Sequence, residues 1–233
     1  MTGLLYMYAL IGTGPEGDLG TGLAGEPLRL VRGGGVLAVV GELSVLPEVS
    51  ADTLVAHDFT VRRIADLVPA ILPVRFGQSL PDERSLAAWL TERDEDLAKA
   101  LARVEGCVQM TLRVFGEPEE RTTGTARTAG TQQHEGSGTR YLEERRRAAA
   151  RARSLPEIAP LREALRPLLR AERIERSHGY GLLVGSAYDL IGSGEAGEYA
   201  RLVAEIAPKL DTFRIFASGP SPPYAFAPGE LAG

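Results

Sequence analysis

Two stretches of the chain have the spacing of a phosphate-binding turn: G-x-G-x-x-G occurs at Gly12–Gly17 and again at Gly192–Gly197. Such a turn holds a pyrophosphate on backbone N–H groups when it ends a strand and opens a helix. The first occurrence has no helix to offer, because Pro15 and the glycines beyond Gly17 break any helical turn. The second lies between a predicted strand and a predicted helix, but no strand delivers the acidic residue that a ribose requires. A chain with 27 glycines produces this spacing by composition, so turn and cap roles are the expected ones. No Walker sequence is present. His57, His134 and His178 are far apart, with neither a helical histidine pair nor clustered cysteines, and do not make a zinc pattern. His57 reads as a packing or hydrogen-bonding residue, His178 as part of a hairpin turn and His134 as part of a loop. Cys107, the single cysteine, follows Gly106 at the entry to a strand and reads as a buried thiol rather than a nucleophile. No catalytic residue, cofactor or metal is expected from these groups.

Charged and aromatic residues offer other chemistry. Arg75 interrupts the apolar run Leu72-Pro73-Val74-Arg75-Phe76-Gly77, and a guanidinium placed there must keep water or find carboxylate or carbonyl partners. A structural ion pair joining two domains is the leading reading, and ligand binding the alternative. Arg145, Arg146, Arg147, Arg151 and Arg153 follow Glu143 and Glu144 along one predicted helix. They form either a solvated face with internal charge pairing or a docking surface for acidic groups on a partner. Pro220, Pro222 and Pro223 stiffen a C-terminal tail whose Tyr224 and Phe226 are expected to pack onto the chain's own domains.

Positioning these residues requires a folded chain, and the composition provides for one. The 233 residues are 44% hydrophobic and 24% charged, enough for two modest domains with cores of their own. A net charge of −5 disfavours general affinity for nucleic acid or anionic lipid. One cysteine forms no internal disulfide, which fits a reducing, cytoplasmic compartment. No stretch approaches the roughly 20 apolar residues of a membrane span, so no membrane insertion is expected.

Leu4–Leu10 reads as a central strand and Ile11–Pro27, with six glycines and two prolines, as a loop. Leu28–Val31 and Val36–Leu43 form a hairpin around Gly33-Gly34-Gly35. Asp52 is placed to cap a helix ending by Pro69, whose apolar residues Leu54, Val61, Ile64, Leu67 and Val68 share a face. A second helix follows Asp82, with Leu86, Trp89, Leu90, Leu97, Leu101 and Val104 in one stripe that Gly106 ends. From Val108 the period becomes two, and Val108, Met110, Leu112 and Val114 mark a strand buried on one side. Residues 116–138 carry no large aliphatic side chain and are expected to be mobile. Tyr141–Arg153 reads as a helix, and Ile158, Leu161, Leu165, Leu168 and Leu169 as another behind Pro156. Strands at Arg173–Ser177 and Tyr180–Ile191, a helix through Tyr199, Leu202, Val203 and Ile206, and a strand at Thr212–Ala217 complete the chain. The expected fold class is α+β in two domains. An N-terminal α+β domain spans 1–106, and 107–218 has the element order of a modified ferredoxin-like (split βαβ) fold with an enlarged helical crossover. The tail, 219–233, is expected to pack between the domains.

Leu5-Tyr6-Met7-Tyr8, Ala38-Val39-Val40, His57, Leu72-Pro73-Val74-Arg75-Phe76-Gly77 and Ser218-Gly219-Pro220 through Pro222-Pro223-Tyr224 and Phe226 occur in this order from Leu4 to Phe226. Together they resemble the gas vesicle protein F/L family. One departure is Ser221, which stands where the family's tail usually carries tryptophan, so a contact made by that indole is not expected here. The resemblance implies two α+β domains, the second ferredoxin-like, packed together by the tail, with Arg75, Phe76, Pro222, Pro223, Tyr224 and Phe226 as structural residues. It also implies a non-enzymatic assembly factor that binds the hydrophobic gas vesicle shell protein in the cytoplasm, with other gas vesicle accessory proteins as further partners. A minor component bound to the finished shell is the alternative within the same biology. A nucleotide-binding enzyme using Gly192–Gly197 is the alternative outside it.

Overall fold

The computed structural model describes residues 3–15, 17–116, 154–177 and 182–231. Its first sheet is built on β1 (Leu4–Ile11), an apolar run buried on both faces, as an interior strand must be. β2 (Leu28–Gly33) and β3 (Val36–Leu43) form a hairpin, and the sheet order is β2-β3-β1-β4, where β4 is Ile71–Pro73. The short β5 (Ser79–Leu80) pairs with β1 beyond β4, so that Ala9 faces Pro73 and Leu5 faces Leu80, both antiparallel. Neither β4 nor β5 shows a strand period, because two or three residues are too few to display one.

α1 (Ala51–Ala65) buries His57, Thr60, Val61 and Ile64. Its N-cap is Ser50, not the expected Asp52: Ser50 and Thr53 exchange side-chain bonds with each other's backbone N–H in a capping box, and Asp52 sits in the first turn. The expected single helix after Asp82 is two, α2 (Glu83–Glu92) and α3 (Asp94–Val104), broken at Arg93. The Asp94 carboxylate accepts the Gly35 N–H at 2.7 Å, and Gly34 needs its φ of +59° and lack of Cβ to admit that carboxylate. A hairpin contact far away in sequence thus fixes where α3 begins, while Leu86, Leu90, Leu97, Leu101 and Val104 still form the buried stripe.

The second sheet has the order β7-β8-β6-β9, with β6 at Cys107–Phe115, β7 at Leu169–Arg176, β8 at Leu183–Gly192 and β9 at Arg214–Ser221. α4 (Ala159–Leu165) ends earlier than its apolar period suggests: Pro167 sits in a 3-10 turn, and Leu169 opens β7 instead of extending the helix. α5 (Ala196–Ile206) buries Tyr199 and Val203. β6 is buried on both faces at its centre, not one, since Gln109 and Thr111 are buried beside Met110 and Leu112. The Cys107 thiol is half-buried, near the Glu105 carbonyl, rather than fully enclosed. Residues 117–138, the helix expected at Tyr141–Arg153 with its arginines, and His134 and His178 lie outside the described residues.

The chain divides into two compact units, one of Met1–Met110, Leu190–Ala196 and Gly219–Gly233, the other of Thr111–Asp189 and Gly197–Ser218. In the second unit Arg162 makes a two-pronged pair with Glu172, and Arg176 another with Glu157. Beneath them Asp189 is 2% exposed; it accepts the Tyr199 hydroxyl at 2.6 Å through Oδ2, and its Oδ1 has no partner among the described residues. Burial pushes the Asp189 carboxyl up to about 6, against the stabilising Tyr199 bond.

A carboxyl whose pKa rises on folding favours the folded state below its unfolded value and loses that contribution as pH climbs through the folded one. Asp189→Asn keeps an acceptor for Tyr199 without the buried charge. Urea melts should show the variant about 1–3 kcal/mol more stable at pH 7 and equal to the parent near pH 4. Equal stability at both values would show that Asp189 carries no burial penalty.

Candidate functional site

Alternation along β1 places Tyr6 and Tyr8 on one side of the sheet, where both are fully buried under α1. The Tyr6 hydroxyl meets His57 Nδ1 at 3.0 Å, and His57 Nε2 meets the Val74 carbonyl at 2.9 Å. A carbonyl only accepts, so Nε2 carries a proton; burial holds the ring below its ordinary value and favours the neutral form, in which Nδ1 accepts from Tyr6. The Gly77 N–H in turn donates to Tyr6 Oη at 3.0 Å. One histidine thereby links β1, α1 and the Val74–Gly77 segment. The rings add their own contacts: Tyr8 stacks on His57 at 5.3 Å, while Phe76 meets His57 and Tyr6 edge-on at 5.8 and 6.1 Å. Such edge contacts are worth about 0.5–1.5 kcal/mol each beyond area burial.

Tyr8 extends the network into the glycine-rich loop. Its hydroxyl donates to Glu26 Oε1 at 2.5 Å and accepts the Leu23 N–H at 2.8 Å, and Glu26 Oε2 accepts the Ala24 N–H at 2.9 Å. Arg63 of α1 donates to the carbonyls of Leu19 and Thr21. The loop therefore obtains its order from side chains of β1 and α1, which its own composition cannot supply. Burial pushes the Tyr6 phenol up to about 12, and burial followed by the bond to Glu26 raises Tyr8 further. Burial likewise holds His57 below its ordinary value, against the Val74 bond. Both phenols and both imidazole nitrogens are committed to internal partners. The cluster is a packing and positioning device for α1.

The tail closes over the same unit. Tyr224 packs against the cluster, its phenol raised by burial and then by Asp58, and Arg62 joins Asp58 at 2.6 Å and the Pro220 carbonyl at 3.3 Å. Gln109 is buried because the tail covers it: Ala225 N–H donates to its Oε1 at 2.8 Å and Ser221 Oγ to its carbonyl at 3.3 Å. Gly219, at φ +122°, passes so close that a Cβ would lie 2.7 Å from the Gln109 carbonyl oxygen. Of the residues expected to be structural, Phe76 and Tyr224 join the aromatic cluster, Pro222 and Pro223 are buried, and Phe226 lies 5.9 Å from the Arg103 guanidinium. Arg75 is exposed, its guanidinium makes no ion pair among the described residues, and its N–H donates to the Leu231 carbonyl at 3.1 Å. Glu26, Arg63 and Gln109 were not legible as members of this network, since each acts across more than 15 residues on a backbone group or phenol.

The Gly192–Gly197 turn is closed on itself. Gly192 N–H donates to Glu195 Oε2 at 2.8 Å and Ser193 N–H to the Gly106 carbonyl at 2.9 Å, so a carboxylate stands where an anion would bind.

The opposite face of α1 is apolar too. Val55 and Phe59 are 68% and 65% exposed, Leu54 lies beside them, and Val45, Leu46 and Val49 continue the set into the segment before the helix. That segment is fixed: Thr53 Oγ1 donates to the Glu48 carbonyl at 2.7 Å and accepts the Ser50 N–H at 3.0 Å. Exposed apolar side chains grouped in this way, among Asp52, Arg62 and Asp66, make this face the candidate contact surface.

His57→Phe keeps a ring but strands the Val74 carbonyl and half of the Tyr6 hydroxyl. Denaturant melts at pH 7 should show a loss of about 2–4 kcal/mol. Because the folded pKa of His57 is depressed, its contribution is present above about pH 6.5 and fades below it. The variant should lack that fall between pH 6.5 and 5; a parallel pH profile would contradict a buried neutral histidine.

The family model described as "Gas vesicle synthesis protein GvpL/GvpF" matches residues 4–228. Among curated proteins, gas vesicle protein L of Streptomyces sp. (strain CB03234) is 28% identical over 96% of this chain and 92% of its own, and gas vesicle protein F of the same strain is 26% identical over 91% and 92%. Crystal structures of GvpF from Anabaena sp. PCC7120 and Microcystis aeruginosa share the fold, with TM-scores of 0.73 and 0.74 at 16% and 18% identity. The first alignment covers 97% of this chain and 96% of that one, the second 98% and 100%. Motif residues from Tyr6 to Tyr224 converge on one buried cluster, and the family model spans nearly the whole sequence: the chain belongs to the gas vesicle synthesis protein GvpL/GvpF family.

Proposed function

We propose that this chain is an assembly factor for gas vesicles that binds the hydrophobic shell protein and performs no bond chemistry. The carrying observation is the exposed apolar set Val45, Leu46, Val49, Leu54, Val55 and Phe59, presented by α1 and the segment before it, with the inner face of α1 anchored in a sealed polar network. A very hydrophobic subunit needs its apolar surface covered until it is placed in the shell, and a fixed apolar face meets that need. Family membership supports the vesicle as the setting, in the cytoplasm where the shell grows. No helix among the described residues is long and apolar enough to cross a membrane.

The strand order β7-β8-β6-β9, together with α4 and α5 on the two crossovers, supports reading the second sheet as a modified ferredoxin-like domain. The tail, a structural element of the first unit, packs Tyr224 against that unit's aromatic cluster. Arg145, Arg146, Arg147 and Arg151 remain a second proposed docking surface, for acidic groups.

Co-expression of the tagged full chain with the shell protein tests the reading. Shell protein should be recovered with the chain from the clarified lysate. Its absence beside abundant, folded chain would overturn it.

A further inference from the structure

We infer that the outward face of α1, with the segment leading into it, docks an amphipathic helix of the shell subunit whose apolar face is edged by Lys or Arg. The inference rests on the shell-binding reading and specifies its surface and the partner's chemistry. Val45, Leu46, Val49, Leu54, Val55 and Phe59 together leave on the order of 600 Å² of side-chain surface in water, the size at which an apolar patch marks an interaction site. That approaches the roughly 800 Å² that one partner contributes to a stable interface.

The form of the partner follows from what this face offers. Its α1 part, with Leu54, Val55 and Phe59, presents side chains on a helix whose backbone is already hydrogen-bonded, so that part cannot satisfy the N–H and C=O groups of an incoming strand. A helix brings its own backbone satisfied. Val55 and Phe59, at i and i+4, form a ridge of the kind that seats in the groove of a second helix. The capping box and the Thr53–Glu48 bond hold Val49 and the first turn in place, so docking requires little ordering of this side.

The sign of the partner's edges follows from the charges. Asp52, Phe59 and Asp66 fall at successive intervals of seven, so the aromatic ring lies between two carboxylates on one line, and Glu48 flanks Val49. The two cations nearby are engaged: Arg62 pairs with Asp58 and reaches the Pro220 carbonyl, and Arg63 serves the carbonyls of Leu19 and Thr21. Glu48, Asp52 and Asp66 have no ion pair among the described residues. A second copy of the chain is a poor occupant. Two α1 helices packed antiparallel about Phe59 would set Asp52 of each against Asp66 of the other, like charge on like charge.

The test co-expresses the full chain with the shell protein and measures recovery of shell protein per folded chain. Three forms are compared: the parent, V55E/F59E and D52K/D66K. All four substituted positions are exposed, and melting temperatures check that each form is folded. Recovery should fall about tenfold or more for V55E/F59E and about three- to tenfold for D52K/D66K, and the parent's recovery should drop as salt is raised. Parent-level recovery with V55E/F59E would place docking elsewhere and overturn this inference while leaving the shell-binding reading intact. Loss with V55E/F59E but full recovery with D52K/D66K would overturn the basic edge. A concentration-dependent dimer of the parent, abolished by V55E/F59E, would assign the face to a second copy. No recovery with the parent would remove the reading on which the inference rests.

Discussion

A buried polar group must find a partner, and here that constraint is concentrated on His57. Its imidazole can be enclosed only because Tyr6 donates to one nitrogen and the Val74 carbonyl accepts from the other. Those two bonds come from different parts of the chain, so satisfying them fixes the position of α1 over β1 and of the Val74–Gly77 segment beside it. Tyr8, stacked on the same ring, passes the constraint through Glu26 to a loop that has no core of its own. Phe76 and Tyr224 complete the enclosure. A single neutral ring thus sets the geometry of much of the first unit.

Sequence patterns disclosed the parts of this arrangement that are local. The interior strand was legible as a short apolar run closed by glycines, the hairpin from its Gly33-Gly34-Gly35 turn, and the stripe Leu86, Leu90, Leu97, Leu101 and Val104 from a period of 3.6, all of which need only neighbouring residues. The start of a helix after Asp82 was legible too, and there Asp82 accepts the Ser85 N–H at 2.7 Å. What escaped is set by distant partners. The break at Arg93 answers a contact between Asp94 and the Gly35 N–H, 59 residues apart. Gln109 looked solvent-facing by alternation until the tail, 116 residues later, delivered the Ala225 N–H to it. Ser50 prevailed over Asp52 as N-cap because Thr53 stood three residues on to complete the box. Of the candidate site, His57 and the tail aromatics could be picked out, but not the phenol and carboxylate that connect them to the loop.

The two faces of α1 carry the link from fold to function. Its inner face is held by directional bonds, which permit one placement, and its outer face exposes Val55 and Phe59, which have no such partners within the unit. Rigid anchoring beneath an exposed apolar surface is the arrangement by which a protein offers a greasy contact without itself rearranging. The partner proposed for this surface is the shell subunit, and the carboxylates of Glu48, Asp52 and Asp66 around it are the ground for proposing basic edges on that partner.

Amide hydrogen exchange, followed by mass spectrometry on the full chain alone and in complex with the shell protein, tests that claim most directly. Exchange should slow on binding in peptides covering residues 45–67, with the strongly protected β1 unchanged. Complex formation with slowed exchange confined to other segments would contradict the account.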